Sequence, residues 1–195
     1  VGIKNNRKLV VSMNITLDGY LSRPDCALDW HVNFWTTEMA EALGEKLQNA
    51  DTLIFGRITY MAMAAYWRSR AMDFSCPTED RALVHMMNNY LKYVFTNTLT
   101  TTYWENSVLI NTSIARTVRS LKAQKGGNII VYGSSQVVAE LLRLNAVDEF
   151  HLWMHPVTIG SGKALFSNIQ QQFRLVSAQT FRSGVVLLIY STAPV

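Results

Sequence analysis

Two short stretches of this sequence join residues that can grip an anion to a backbone that can present them. Gly133-Ser134-Ser135 follows the apolar run Asn128 to Tyr132 and precedes Val137, Val138, Leu141 and Leu142, which share one helical face. A turn between a buried strand and a helix points free backbone N–H groups, and the positive end of the helix dipole, past the strand's carboxyl end. Gly133 lets a phosphate come close, and both serines can donate to it; the same residues also suit an ordinary strand-to-helix turn that holds nothing. Gly56-Arg57-Ile58-Thr59 repeats the design after Thr52 to Phe55, adding a planar guanidinium that can fork onto a phosphate and a threonine hydroxyl. Taken alone, Arg57 equally suits a surface ion pair. Two such turns in one sheet point to a dinucleotide.

Other candidates are less specific. Asp18-Gly19 closes the apolar run Leu9 to Ile15, where a carboxylate could bind a sugar hydroxyl or relay a proton, although Asp-Gly is also a common tight turn. Trp30, Trp35, Tyr66 and Trp67 could wall a planar heterocycle or simply fill a core. His31, His85, His151 and His155 form no H-x-x-x-H or H-E-x-x-H pair, and there is no Gly-x-Ser-x-Gly elbow, so neither a metal centre nor a serine hydrolase is expected.

The elements that must position these residues alternate. Leu9 to Ile15, Thr52 to Phe55, Tyr93 to Phe95, Val108 to Ile110 and Asn128 to Tyr132 read as buried strands. Helical periodicity runs through Met39 to Ala50, Tyr60 to Trp67, Ile114 to Leu121 and Val137 to Leu142, and Thr78 with Glu79 and Asp80 marks a further helix start. Arg68 to Pro77 reads as an irregular loop. Phe150 to Val157, Arg174 to Phe181 and Val185 to Tyr190 are strand-like without connecting helices, so they should be antiparallel additions to a mostly parallel sheet. The expectation is one α/β domain over residues 1–195.

Composition agrees. The chain has 195 residues, 49% of them hydrophobic, which suffices for a single core. Its 18 Lys and Arg against 14 Asp and Glu are scattered, which argues against a nucleic-acid arm but allows a mildly positive cleft for a phosphorylated ligand. Cys26 and Cys76 lack metal-ligand spacing and cannot form a disulfide framework. With no apolar stretch long enough to cross a bilayer and a polar, basic start from Ile3 to Lys8, a cytoplasmic protein is expected.

The order of elements resembles the dihydrofolate reductase-like fold, a three-layer α/β/α sandwich, and the motifs resemble one branch of it, the RibD C-terminal domains of riboflavin biosynthesis. Ser12 to Tyr20 is similar to that family's S-L-D-G opening, Leu53 to Tyr60 to its G-R-x-T-Y segment, and Val131 to Ser135 to its V-Y-G-S/G loop. Lys92 to Leu99 and Trp104 to Ser107 match further segments. The most specific piece is Val147-Asp148-Glu149-Phe150 followed by Pro156 to Phe166.

The resemblance implies NADPH held by Gly56, Arg57 and Thr59 on one side and by Gly133, Ser134, Ser135, Gln136 and Val137 on the other, with Thr96 and Asn97 near the adenosine. Family members more often carry Ser-Arg at that last place, so NADH stays open. Asn14, Ile15 and Thr16 would border the nicotinamide, and Asp18, Trp30 and Trp67 the substrate. Asp18 and Glu38, the latter as a pterin-type helix carboxylate, are the implied catalytic groups. The implied reaction is hydride transfer to a phosphoribosylamino-pyrimidine such as 5-amino-6-(5-phosphoribosylamino)uracil, with Arg23, Arg68, Arg70 and Lys163 as candidates for its phosphate. The zinc motif of the partner deaminase domain has no counterpart here. A dihydrofolate or pterin reductase and a noncatalytic nucleotide-binding module remain alternatives. Relatives commonly dimerise, and Val185 to Ile189 could supply a homodimer interface.

Overall fold

In the computed structural model, residues 7–167 and 169–192 are described, except the side chains of Thr78 and Glu79; the basic opening Ile3 to Asn6 lies outside this set. The strands are β1 (Leu9–Thr16), β2 (Tyr20–Ser22), β3 (Ala50–Gly56), β4 (Leu91–Phe95), β5 (Ser107–Ile110), β6 (Asn128–Val131), β7 (Glu149–His155), β8 (Lys163–Ala164), β9 (Arg174–Thr180) and β10 (Val186–Ser191). The helices are α1 (Thr37–Gln48), α2 (Arg57–Ala71), α3 (Thr78–Asn89), α4 (Ile114–Ala123) and α5 (Ser135–Arg143), with a short 3-10 helix at Asp29–Phe34.

Eight strands form one sheet in the order β5-β4-β3-β6-β1-β7-β10-β9, and β2 and β8 make a small second sheet. Every ladder from β5 to β7 is parallel, whereas β10 runs antiparallel to both β7 and β9. β1 and β3 are buried almost throughout because helices cover both faces of the sheet. On one face α4 and α5 pack Val118, Leu121, Val138 and Leu141 against Val11, Ile129 and Val131. On the other, α1, α2 and α3 pack Leu47, Tyr60, Ala64 and Leu83 against Val10, Leu53 and Ile130. The three-layer α/β/α expectation therefore holds.

Several boundaries differ from expectation for local reasons. α1 starts at Thr37 because Thr36 accepts a hydrogen bond from the Met39 N–H, a side-chain cap that periodicity alone does not reveal. α2 runs on to Ala71, shortening the expected loop, and Arg70 anchors its end by pairing with Asp73 at 2.8 Å and Asp80 at 3.1 Å. The run Val185 to Ile189, expected at a dimer interface, lies inside the sheet: β10 is hydrogen-bonded on both sides, and the edge belongs to β9, whose residues are all exposed.

Candidate functional site

Parallel topology sends the carboxyl ends of β5, β4, β3, β6, β1 and β7 to one edge, where predicted residues, and one that was not predicted, His155, lie in a spatial order the sequence does not have. Thr96 and Asn97 follow β4, Gly56 and Arg57 end β3, Gly133 and Ser134 follow β6, Asn14 to Thr16 end β1, and His155 ends β7. Neighbouring strands lie about 4.8 Å apart, so the stretch from β4 to β1 spans roughly 15 Å.

The two glycine turns touch. The Gly56 N–H donates to the Gly133 carbonyl at 2.6 Å, and a Cβ on Gly56 would lie 2.8 Å from Ser134 Oγ and 3.0 Å from its backbone nitrogen. Gly133 has φ +117°, which side chains rarely adopt, and a Cβ there would meet Met13 Cε at 3.1 Å and Thr59 Oγ1 at 3.2 Å. Both glycines are thus required by close packing between the turns, a reason distinct from the open space for phosphate that the sequence suggested. Beside this contact α2 and α5 begin with no side-chain cap and no acidic residue in their first turns. By contrast α1 and α4 are capped by Thr36 and Ser113.

Arg57 is exposed at the start of α2. Among the described residues no carboxylate pairs with it; its guanidinium only reaches Met61 Sδ, at 4.0 Å. The surface ion-pair alternative is therefore not what the structure holds. Two adjoining helix N-termini and an unpaired guanidinium suit the charge of a pyrophosphate, so the residues present fit a dinucleotide.

Other expected roles change. Ile15 and Val137 bury their side chains in the core and could offer only main-chain atoms, while Gln136 is exposed on α5. Thr16 is fully buried, its hydroxyl donating to Asp18 at 2.6 Å and accepting from the Tyr20 N–H at 2.9 Å. The Thr96 hydroxyl accepts from the N–H groups of Thr98 and Leu99, each at 3.1 Å, and so organises its own turn; Asn97 beside it is exposed. Asp18 accepts from Thr16, from the Gly160 N–H at 2.8 Å and from the Ile159 N–H at 3.1 Å. The Thr16 hydroxyl, followed by those two backbone donors, lowers its pKa below the usual carboxylate range, so near neutral pH it is an acceptor and no proton donor. It ties the loop after β7 to the end of β1. Glu38 accepts from the Arg182 N–H at 2.7 Å, an anchor for the β9–β10 turn. Trp67 belongs to the core between α2 and α3, and Tyr66 stands edge-on to it on α2.

The cations expected near a substrate phosphate are engaged elsewhere: Arg23 with Asp29 at 3.0 Å, Arg68 with Glu105 at 3.8 Å, Arg70 with its two aspartates, and Lys163 with Cys26 Sγ at 2.7 Å. Trp30 does reach the site edge, where its ring stands 5.2 Å from that of His155, and His155 Nε2 lies 3.1 Å from Asn14 Oδ1. Desolvation, with His31 nearby, pulls the His155 pKa down to about 4, leaving the ring neutral. His155 is a functional candidate that residue spacing does not single out; its place before Pro156, where β7 ends, is the one local signal.

A family model described as the RibD C-terminal domain matches residues 7–187. The uncharacterized protein YyaP of Bacillus subtilis (strain 168) is 30% identical over 188 residues, covering 94% of each chain. The crystal structure of a protein assigned to riboflavin biosynthesis from Shewanella sp. PV-4 superposes with a TM-score of 0.73 at 19% identity, covering 96% of this chain and 99% of that one. Dihydrofolate reductase from Enterococcus faecalis, solved with NADP(H), has a TM-score of 0.59 at 16% identity, with 94% and 93% covered. These structural likenesses establish a shared fold.

Proposed function

The chain belongs to the RibD C-terminal domain family, and from that membership we propose that it is an oxidoreductase that uses NADPH to reduce a planar heterocycle. The observation that carries this reading is the row along the sheet edge: Thr96 and Asn97, the paired turns with Arg57, then Asn14, in the order in which an extended dinucleotide would meet them. The N-termini of α2 and α5 and Arg57 would hold the phosphates, and the end of β1 would orient the nicotinamide. The hydride is the chemistry the cofactor supplies when bound. Asp18, ionised and held by its three donors, fixes the loop that flanks the ring end of the row.

Within this reading the reaction would be of the riboflavin-biosynthesis type, on a substrate like 5-amino-6-(5-phosphoribosylamino)uracil. The pterin alternative would call on Glu38, one oxygen of which accepts from the Arg182 N–H of the β9–β10 turn. A homodimer would join through the β9 edge, where Leu175 and Val176 are exposed. No helix among the described residues is long and apolar enough to cross a membrane.

Titration with NADPH and with NADH, read by cofactor fluorescence, tests the proposal. Binding of NADPH, followed by its oxidation when the pyrimidine riboside phosphate is added, is the expected result. Failure to bind either nucleotide would overturn the enzyme reading, and oxidation by dihydrofolate alone would transfer it to pterins.

A further inference from the structure

Lys163 and Cys26 stand 137 positions apart in the chain, yet the Lys163 amine donates to Cys26 Sγ at 2.7 Å. Backbone contacts on both sides set this approach. Ser22 of β2 pairs with Lys163 of β8, and Gly162 beside it leaves no room for a Cβ against the Ser22 carbonyl. Beyond β2 the chain turns tightly: the Cys26 N–H donates to the Arg23 carbonyl at 3.0 Å and the Arg23 N–H to the Ala27 carbonyl at 3.1 Å. Asp25 accepts from the Ala27 N–H at 3.0 Å, which holds the turn from its other side. Among the described residues Lys163 pairs with no carboxylate. Lys163 is exposed and Cys26 half-buried, so small solutes reach the pair. The other cysteine, Cys76, is enclosed with Trp67, Val84 and Met87 in the core beneath α2 and α3.

We propose that Cys26 and Lys163 form a modification site, at which hydrogen peroxide joins the two side chains by a reversible sulfur–nitrogen bond. In the first step Cys26 Sγ attacks one peroxide oxygen and the O–O bond breaks, giving the sulfenic acid and one water; sulfur loses two electrons and peroxide gains them. The sulfenic sulfur is electrophilic and condenses with a nearby nitrogen. Here the nitrogen is already in contact, so the second step is intramolecular. The lone pair of the deprotonated Lys163 amine attacks sulfur, the S–N bond forms, the S–O bond breaks, and the hydroxyl leaves as a second water with an amine proton. The chain loses two hydrogen atoms in all. An added thiol reverses the link by attacking sulfur, the amine taking back its proton, and a second thiol reduces the mixed disulfide. The link would fasten the turn that leads into the 3-10 helix Asp29–Phe34 to the start of β8. That helix packs Trp30 on His155, and the loop before β8 is the one Asp18 holds. The modification thus joins the two segments that flank the ring end of the row, and it stands whether or not the reductase reading does.

The test is mass spectrometry of the full chain treated with hydrogen peroxide at about pH 8.5, where thiolate and free amine are both more abundant than at neutral pH. The intact mass should fall by about 2 Da, since both peroxide oxygens leave as water. Proteolysis of the product should give one cross-linked peptide pair joining Cys26 to Lys163, and dithiothreitol should restore the original mass. Lys163→Arg removes the amine but keeps the charge, so Cys26 should instead gain oxygen. Cys26→Ser should show neither the mass loss nor the cross-linked pair. Both substitutions are at accessible side chains and leave the core intact. A Cys26–Cys76 disulfide has the same mass change; the peptide map distinguishes it, and finding it would overturn the proposal. So would retention of peroxide oxygen on Cys26 in the wild type, no reaction at Cys26, or a mass loss that persists in Lys163→Arg.

Discussion

At the amino edge of the sheet, charges are answered within the chain. Arg7 donates to the Gly127 carbonyl and to Thr52 Oγ1 at 2.8 Å, and pairs with Asp51. Lys122 reaches Asp148, and Lys8 reaches Glu149. Lys92 is completely buried, yet its ammonium donates to the carbonyls of Asn88 and Tyr90 at 2.8 Å and of Glu105 at 3.1 Å, and lies 4.5 Å from the centroid of the Trp104 ring. At the carboxyl edge the same backbone leaves two helix starts without side-chain caps, Arg57 without a carboxylate, and Trp30 and His155 with unmatched nitrogens. Polar groups paired within the chain serve stability; those the chain leaves unpaired are free to serve a ligand.

Substitutions at the two edges should therefore separate folding from binding. The largest loss of stability is expected for Lys92→Met, which strips a donor from three carbonyls and should cost about 3 kcal/mol in denaturant unfolding. Nucleotide affinity in the folded fraction should stay as it was; a stability within 0.5 kcal/mol of wild type would refute the account of that edge. Arg57→Ala is the converse. NADPH affinity should fall by about 1.5–3 kcal/mol, as for a charge-assisted contact, while the melting temperature barely moves, since the side chain is exposed and unpaired. Unchanged affinity would remove Arg57 from the site.

The pH dependence should also distinguish the edges. His155 has a folded pKa near 4 against an ordinary 6.5. Between those values the unfolded chain binds a proton that the folded ring refuses, so His155 contributes stability that is present above 6.5 and lost as pH falls towards 4. His31, also lowered by desolvation, acts in the same direction. Glu149, whose pKa is held near 2 by hydrogen bonds from His151 and Lys8, gives up its contribution at lower pH, from its ordinary 4.5 downwards. Unfolding curves for wild type and His155→Gln should converge as pH falls through the histidine window; parallel curves would contradict the buried neutral ring. The smallest effect is expected for Asp18→Asn, a slight loss of stability in denaturant unfolding through weakened contacts to the loop. The pH profile of NADPH oxidation should be unaltered, and a shifted profile would restore Asp18 as a proton donor.

The sequence by itself determined the strands, the helix faces and the two turns, because period-2 and period-3.6 patterns and Gly-Ser or Gly-Arg punctuation are local properties of the chain. β1, α4 and α5 needed nothing more. It also carried the family motifs, and through them Gly56, Arg57, Gly133 and Asn14. Which side chains are free was decided only by tertiary contacts. Asp18 and Thr16 are two residues apart yet engaged with each other and, for Asp18, with Ile159 and Gly160. Glu38 meets Arg182, more than a hundred positions away, and Trp67 is enclosed by α3. His155 stood in plain view in the sequence, but its meaning depends on partners from other elements: Asn14 on β1, and Trp30, His31 and Phe34 on a 3-10 helix that no periodicity announced. A residue type states which hydrogen bonds it can make. Only the folded chain determines which of them are already made.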